Sequence, residues 1–404
     1  MQTATVLIDE KLQRRTLILV FVTVFLDLMG AGILIPILPY LVRQFQTDAT
    51  TVGLLSLSFS AAQFAATPVL GLMSDRYGRR PVLIFSILGS AIGYFIFGWA
   101  GSLWLMFFSR VVDGFSGGNI SAAQACIADI SAPKDRAKNF GLIGMAFGLG
   151  FIFGPALGGV LSKISLHAPA YGAGVLTLIT GVFAYFVLPE TLPPERRLTS
   201  AARWRDLDPF RPILTALRNP QLRALLLSMF FLNFAFTALQ TNFSLFTLER
   251  FEWGPDDNAW IFAFIGLMVA INQGVLVRRL LKIWKERPLA LSGFAFFTAG
   301  FLLVAAAPSA WLLYPACALI ALGSSFTSPT LTSLVSQKVS GREQGSILGT
   351  TQAVLSLTRV FGPLWAGLVF DYFGPGAPYW TGAAWIALAA MVAWPALSGH
   401  HADE

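Results

Sequence analysis

The sequence predicts an all-α integral membrane protein: twelve transmembrane helices in two pseudo-symmetric six-helix bundles. Three observations lead there. The chain is built of long apolar runs, its basic residues gather in alternate connections, and its second half weakly repeats its first. Hydrophobic residues make up 55% of the 404 residues and charged residues 12%, and the mean hydropathy is +0.66. A soluble domain carries roughly twice that charged fraction, so water is not the solvent this surface is made for.

A helix crossing a hydrocarbon core of about 30 Å needs roughly 20 mostly apolar residues. The segments that qualify are 16–42, 52–73, 81–100, 103–129, 138–162, 168–188, 223–249, 256–277, 288–308, 310–336, 344–372 and 376–398. Pro81, Pro288 and Gly374 mark edges, as proline and glycine do at helix ends. The first run contains Asp27 and two prolines and no small-residue cleavage site, so it reads as a span and not a signal peptide. Cys126 and Cys317 both fall inside apolar runs and read as small packed hydrophobes.

Of the 28 Lys and Arg, 23 fall on the side of the amino terminus. Only Arg43, Lys163 and Arg250 fall on the other side, and Arg110 and Arg359 lie within spans. That bias predicts cytoplasmic termini and an inner, plasma-membrane location. The net charge of +7 is therefore a topology signal, and nucleic acid is not an expected partner. Membrane lipid is.

The one long polar connection, 189–222, divides the chain into bundles at 1–188 and 223–404. Asp27 to Phe45 aligns without gaps on Asn233 to Phe251, and Gly154-Pro155 on Gly362-Pro363, at offsets of 206 and 208 residues. Two similar halves in one orientation imply a parallel duplication with a midplane site between them.

Three motifs stand out. Between spans two and three lie Gly71, Asp75, Arg76, Gly78, Arg79 and Arg80, where glycine permits a tight turn and the charges can pair at a helix end. Span five carries Gly150, Gly154, Pro155, Gly158 and Gly159, a smooth, kinkable face for close helix contact. Span four carries Arg110-x-x-Asp113-Gly114. Together they resemble the major facilitator superfamily, in particular its twelve-span drug:proton antiporters and, among those, the bacterial tetracycline efflux proteins. The likeness covers most of the first half, and the second half matches loosely. It implies that Asp75 and Arg79, with Asp129 as partner, lock the cytoplasmic ends, and that the span-five glycines are an antiporter signature.

The chain departs from that pattern in two places. The tetracycline proteins have a membrane Asp where Gly93 stands here and another in span nine, where 288–308 contains no acid. The resemblance implies polyspecific efflux, and these two departures count against tetracycline as the substrate. In span four, Asp113 stands where Gln is more usual.

A charge at the bilayer centre costs at least about 2.5–3.5 kcal/mol on insertion scales and usually signals function. Asp27 lies about 16 Å from the inner edge of span one, and Asp113 about 15 Å from the outer edge of span four, at 1.5 Å per residue. Arg110 is one turn from Asp113 on the same helix face. A carboxylate's proton affinity rises in low dielectric and falls beside a guanidinium. A cavity that opens to alternate sides could therefore load and release a proton at Asp27 or Asp113. A static structural pair at Arg110 and Asp113 is the alternative.

Asn233, Phe234, Gln240, Asn272 and Gln273, with Arg359, are the candidate substrate-cavity residues, and they suit a lipophilic small molecule. The structural alternative for Arg359 is a cap on a buried carbonyl. The expected protein is a monomeric secondary transporter without cofactor or metal. A lipid flippase and a proton-coupled importer of the same fold are the alternatives. No HExxH or GxxxxGK[ST] pattern is present to suggest an enzyme, and one central charged cluster between two halves suggests a carrier and not a channel.

Overall fold

The computed structural model describes residues 10–45, 48–131, 136–198, 208, 210–339 and 344–398. In chain order these form α1 (Glu10–Leu34), α2 (Leu38–Val42), α3 (Ala49–Tyr77), α4 (Arg79–Trp99), α5 (Leu103–Ser116), α6 (Asn119–Ile130), α7 (Arg136–Ser162) and α8 (Ala168–Val187). The polar connection contributes α9 (Phe210–Leu217), and the second half α10 (Pro220–Phe251), α11 (Pro255–Ile271), α12 (Val277–Leu280), α13 (Glu286–Ala306), α14 (Leu313–Gln337), α15 (Gln344–Phe373) and α16 (Ala377–Ser398). A π-helical turn, Asn272–Leu276, joins α11 to α12. No strand is present among the described residues.

Ten helices among the described residues are long and apolar enough to cross a membrane. The other two expected spans are also helical. The span expected at 103–129 breaks at Gly117-Gly118 into α5 and α6, where two residues without side chains weaken the helix. The fifth span is the 27-residue α7. The first expected span, 16–42, is likewise interrupted between α1 and α2. Pro36 has no N–H to donate and its ring opposes the carbonyl four residues back. Elsewhere local chemistry sets the ends. The Asp48 carboxylate accepts from Thr51 N at 3.0 Å to cap α3. Pro255 occupies the first turn of α11, and Asp257 accepts from Gly254 N at 2.9 Å.

Within the first half, α1 packs on α7 and α8, and α4 on α5 and α8. Within the second, α13 packs on α14 and α16, and α10 on α15 and α16. The halves meet along two seams, α3 against α15 and α7 against α11. Backbones approach closely there. A Cβ on Gly53 would overlap the Pro363 carbonyl, and one on Gly367 would stand 2.6 Å from Ala49 O. A Cβ on Gly159 would overlap Ala259, and one on Gly266 would strike Ile152.

Polar contacts close the same end. Asp371 of α15 accepts from Ala49 N (2.9 Å) and Thr50 N (2.8 Å) at the start of α3. The Tyr40 hydroxyl donates to Trp253 O and accepts from Asn258 Nδ2, both at 2.8 Å. At the opposite end of the same four helices the picture reverses. Among the described residues, nothing lies within 4 Å of a Cβ built on Gly71, Gly148, Gly274 or Gly349. The described contacts between the halves thus gather at one end of the space between them.

Replacing Gly367 by Val is expected to wedge the sealed seam apart. Maleimide should then alkylate a cysteine at position 50 several-fold faster than in the Gly367 background.

Candidate functional site

The buried pair on α5 comes first. Arg110 and Asp113 are 8% and 2% exposed, with Arg110 Nη2 and Asp113 Oδ2 3.2 Å apart. The i,i+3 spacing places both on one face. Three rings surround the guanidinium: Phe97, Tyr94 and Phe59, at 4.6, 5.6 and 5.7 Å from their centroids. Ring faces attract a desolvated cation but satisfy none of its edge donors. Arg110 Nε and Nη2 and Asp113 Oδ2 meet no hydrogen-bond partner among the described residues. Both side chains line a cavity of about 250 Å³. Its far wall belongs to the second half, with Thr237, Gln240, Thr241 and Arg359.

Gly93 explains how the pair fits. A Cβ there would lie 2.7 Å from the Asp113 Cβ, so positions 93 and 113 reach the same volume from facing helices. A carboxylate absent from 93 is present at 113 in nearly the same place.

Asp27 behaves differently. It is half-buried on α1, and the cavity wall uses its neighbours Leu28 and Ala31 instead. Its charge and that of Asp113 both act on the Tyr94 phenol, so the two acids share an electrostatic neighbourhood without sharing a wall.

A second cavity of about 240 Å³ adjoins the first at Phe151 and Gln240. Asn233 and Gln273 line it. Of the expected cavity residues, Gln240 lines both cavities and Arg359 the first, while Phe234 and Asn272 line neither. Phe234 turns away into an aromatic cluster with Trp365 (4.9 Å) and Trp385 (5.5 Å). Asn272 is 3% exposed and outside both cavity walls, because adjacent helical residues point to different faces.

The span-five glycines form the contact between α7 and α1. A Cβ on Gly154 would stand 2.8 Å from Met29 O, one on Gly150 3.0 Å from the Leu28 Cβ, and one on Gly158 would overlap the Ile33 carbonyl. Pro155 lies inside α7, and Gly159 faces α11 across the seam.

Arg79 is the hub of the loop between α3 and α4. It pairs with Asp75, with Asp129 at 3.0 Å, and with Ser74 Oγ at 2.8 Å. Arg80 donates to Tyr185 O and lies over that residue's ring, while Arg76 lies over Tyr77. Gly71 is bare.

Glu190 was not expected from the motif. Its carboxylate accepts from the backbone of Arg79 (2.9 Å), Arg80 (3.3 Å), Thr191 (2.9 Å) and Leu192 (3.0 Å). It caps the exposed start of α4. The Asp75 carbonyl accepts from Leu198 N at 2.9 Å, so the head of the polar connection docks on this loop. The available signal was an acid directly after the end of span six.

A helical membrane bundle with a charged central cavity and two opposed seams defines a polytopic carrier. The family model of the Major Facilitator Superfamily matches residues 20–363, and the chain belongs to that superfamily. It is a multi-pass membrane transporter. "Tetracycline resistance protein, class C" of Escherichia coli is 34% identical over 94% of this chain and 96% of its own length. "Multidrug resistance protein 2" of Bacillus subtilis is 27% identical, covering 89% and 90%. The crystal structure of the human organic anion transporter MFSD10 superposes with a TM-score of 0.74 at 28% identity, covering 94% and 99%.

Gly78 has φ +109° and faces the Glu190 carboxylate. Replacement by Ala is expected to cost about 1–2 kcal/mol for the left-handed backbone alone, plus displacement of Glu190. A lowered melting temperature in detergent checks this.

Proposed function

We propose that the protein is a proton-coupled exporter of lipophilic small molecules that works by alternating access. Two bundles, 1–188 and 223–404, rock about a central site and are joined by the cytoplasmic connection 189–222. Both termini lie in the cytoplasm of an inner, plasma-membrane protein, and the working unit is a monomer among lipids. With that orientation the sealed end is the outer one, and the conformation faces inward. The efflux relatives support the direction of transport.

One observation carries the reading: a buried guanidinium and carboxylate, imperfectly hydrogen-bonded, sit on the wall of a cavity between the halves. Water reaching Asp113 from one side and then the other changes what its charge costs. A carboxylate in that position can take a proton on the outside and release it inside. Arg110 stays in its aromatic cage and supplies the counter-charge when Asp113 is ionised. Asp27 assists electrostatically from outside the wall. One proton moving down about 150 mV supplies roughly 3.5 kcal/mol, enough for a few-hundred-fold gradient of a neutral substrate.

Asp75, Arg79 and Asp129, with Arg76, Arg80, Gly71 and Gly78, form the cytoplasmic gate. The bare inner glycines leave room for the two halves to meet there in the outward-facing state. The α7 glycine face against α1 gives the first bundle a rigid unit that moves as one.

Neutralising Asp113 as Asn is expected to abolish proton-driven efflux from proteoliposomes, and Asp27→Asn to weaken it. Proton-coupled transport unchanged in both variants would sink the coupling mechanism.

A further inference from the structure

We propose that the exported molecule binds in the second cavity, that it is uncharged, and that the neighbouring charged cavity serves the proton alone. This rests on the carrier reading above and adds to it a substrate class and a separate place for the substrate.

The two cavities are nearly equal in volume, about 240 and 250 Å³, and opposite in chemistry. The charged one holds Arg110, Asp113 and Arg359. The other lies between α7 and the second-half helices α10, α11, α13 and α14, and not one residue of its wall is ionisable. Phe151, Phe236, Phe262 and Phe297 supply its aromatic surface. An ion entering such a wall loses its hydration and finds no counter-charge, which is strongly unfavourable. A flat neutral molecule loses little and gains apolar burial.

The polar groups are of the matching kind. The side-chain amides of Gln240 and Gln273 meet no hydrogen-bond partner among the described residues. Asn233 commits its Nδ2 to Met229 O at 2.9 Å, and its carbonyl oxygen remains to accept. An amide offers a donor and an acceptor without charge. It therefore suits hydroxyl, carbonyl or amide substituents on a lipophilic frame.

The cavities share only Phe151 and Gln240. Substrate and proton therefore occupy different walls, and Gln240 is the polar side chain through which occupancy of one can be felt at the other. Direct competition for a single carboxylate is not required.

The test uses matched fluorescent probes on the purified full-length protein reconstituted in nanodiscs. N-phenyl-1-naphthylamine is neutral, and 1-anilinonaphthalene-8-sulfonate is the same ring system with one sulfonate. A diphenylhexatriene bearing a trimethylammonium group is the cationic probe. The neutral probe is expected to bind saturably and at least about tenfold more tightly than either charged probe, a difference of about 1.4 kcal/mol. Gln273→Leu should weaken it by a similar factor. Gln273→Glu should admit the cationic probe, a gain that a merely misfolded variant cannot produce. Asp113→Asn should lose proton-driven flux while keeping the neutral probe's affinity within about threefold.

Three results overturn the proposal: no saturable binding of the neutral probe, equal or tighter binding of a charged one, or a tenfold loss of neutral-probe affinity in Asp113→Asn. Intact probe binding with proton coupling unchanged in both Asp113→Asn and Asp27→Asn would instead sink the coupling reading and leave this site standing.

Discussion

Helices in lipid gain nothing from hiding apolar side chains, since the surrounding tails are equally apolar. What holds them is close contact between backbones, and in this protein glycine makes that contact. The α1–α7 interface brings Gly32 against Gly154. The two seams between halves do the same at Gly53, Gly367, Gly159 and Gly266. Where these glycines meet a neighbouring backbone, the two halves are held together. The shape of the central space, and hence the setting of every charge in it, follows from that distribution.

Charges are arranged by how much water they keep. Arg79 sits at a helix end with two acids and a serine around it, and Glu190 caps the same turn from the polar connection. Such a network is stable because each member has several partners. Arg110 and Asp113 are buried more deeply and satisfied less. Phe97, Tyr94 and Phe59 surround the guanidinium, and its buried Nε and Nη2 meet no hydrogen-bond partner among the described residues. The contrast is between a network with several partners for each charge and a buried pair with few.

Much of the fold was legible in the sequence because the bilayer imposes a length and a charge asymmetry that leave plain traces. The breaks at Pro36 and Gly117-Gly118 are local chemistry too, although the length rule alone runs straight through them. The Arg110–Asp113 pair was legible because three residues along a helix is one face. Asp27 was harder. Its depth could be counted, but which way a side chain turns depends on how α1 rolls against α7, and nothing in composition records that. The facing of other helices likewise separates Gln273 from Asn272 and sends Phe234 to Trp365 and Trp385. Glu190 escaped because two of its partners, Arg79 and Arg80, lie more than a hundred residues back at the start of α4, and sequence spacing says little about contacts of that range.

The contact between Asp371 and the start of α3 bears on how easily the sealed seam can part. Asp48 already caps one amide of that helix, and Asp371 takes two others from across the seam. These are groups that water can serve equally well. When the seam separates, solvent replaces the lost partners on both sides, and little enthalpy is forfeited. A latch of apolar side chains or a dry ion pair would leave a deep well on one side of the cycle. Hydratable polar groups at this point of the seam therefore add little to the cost of parting it.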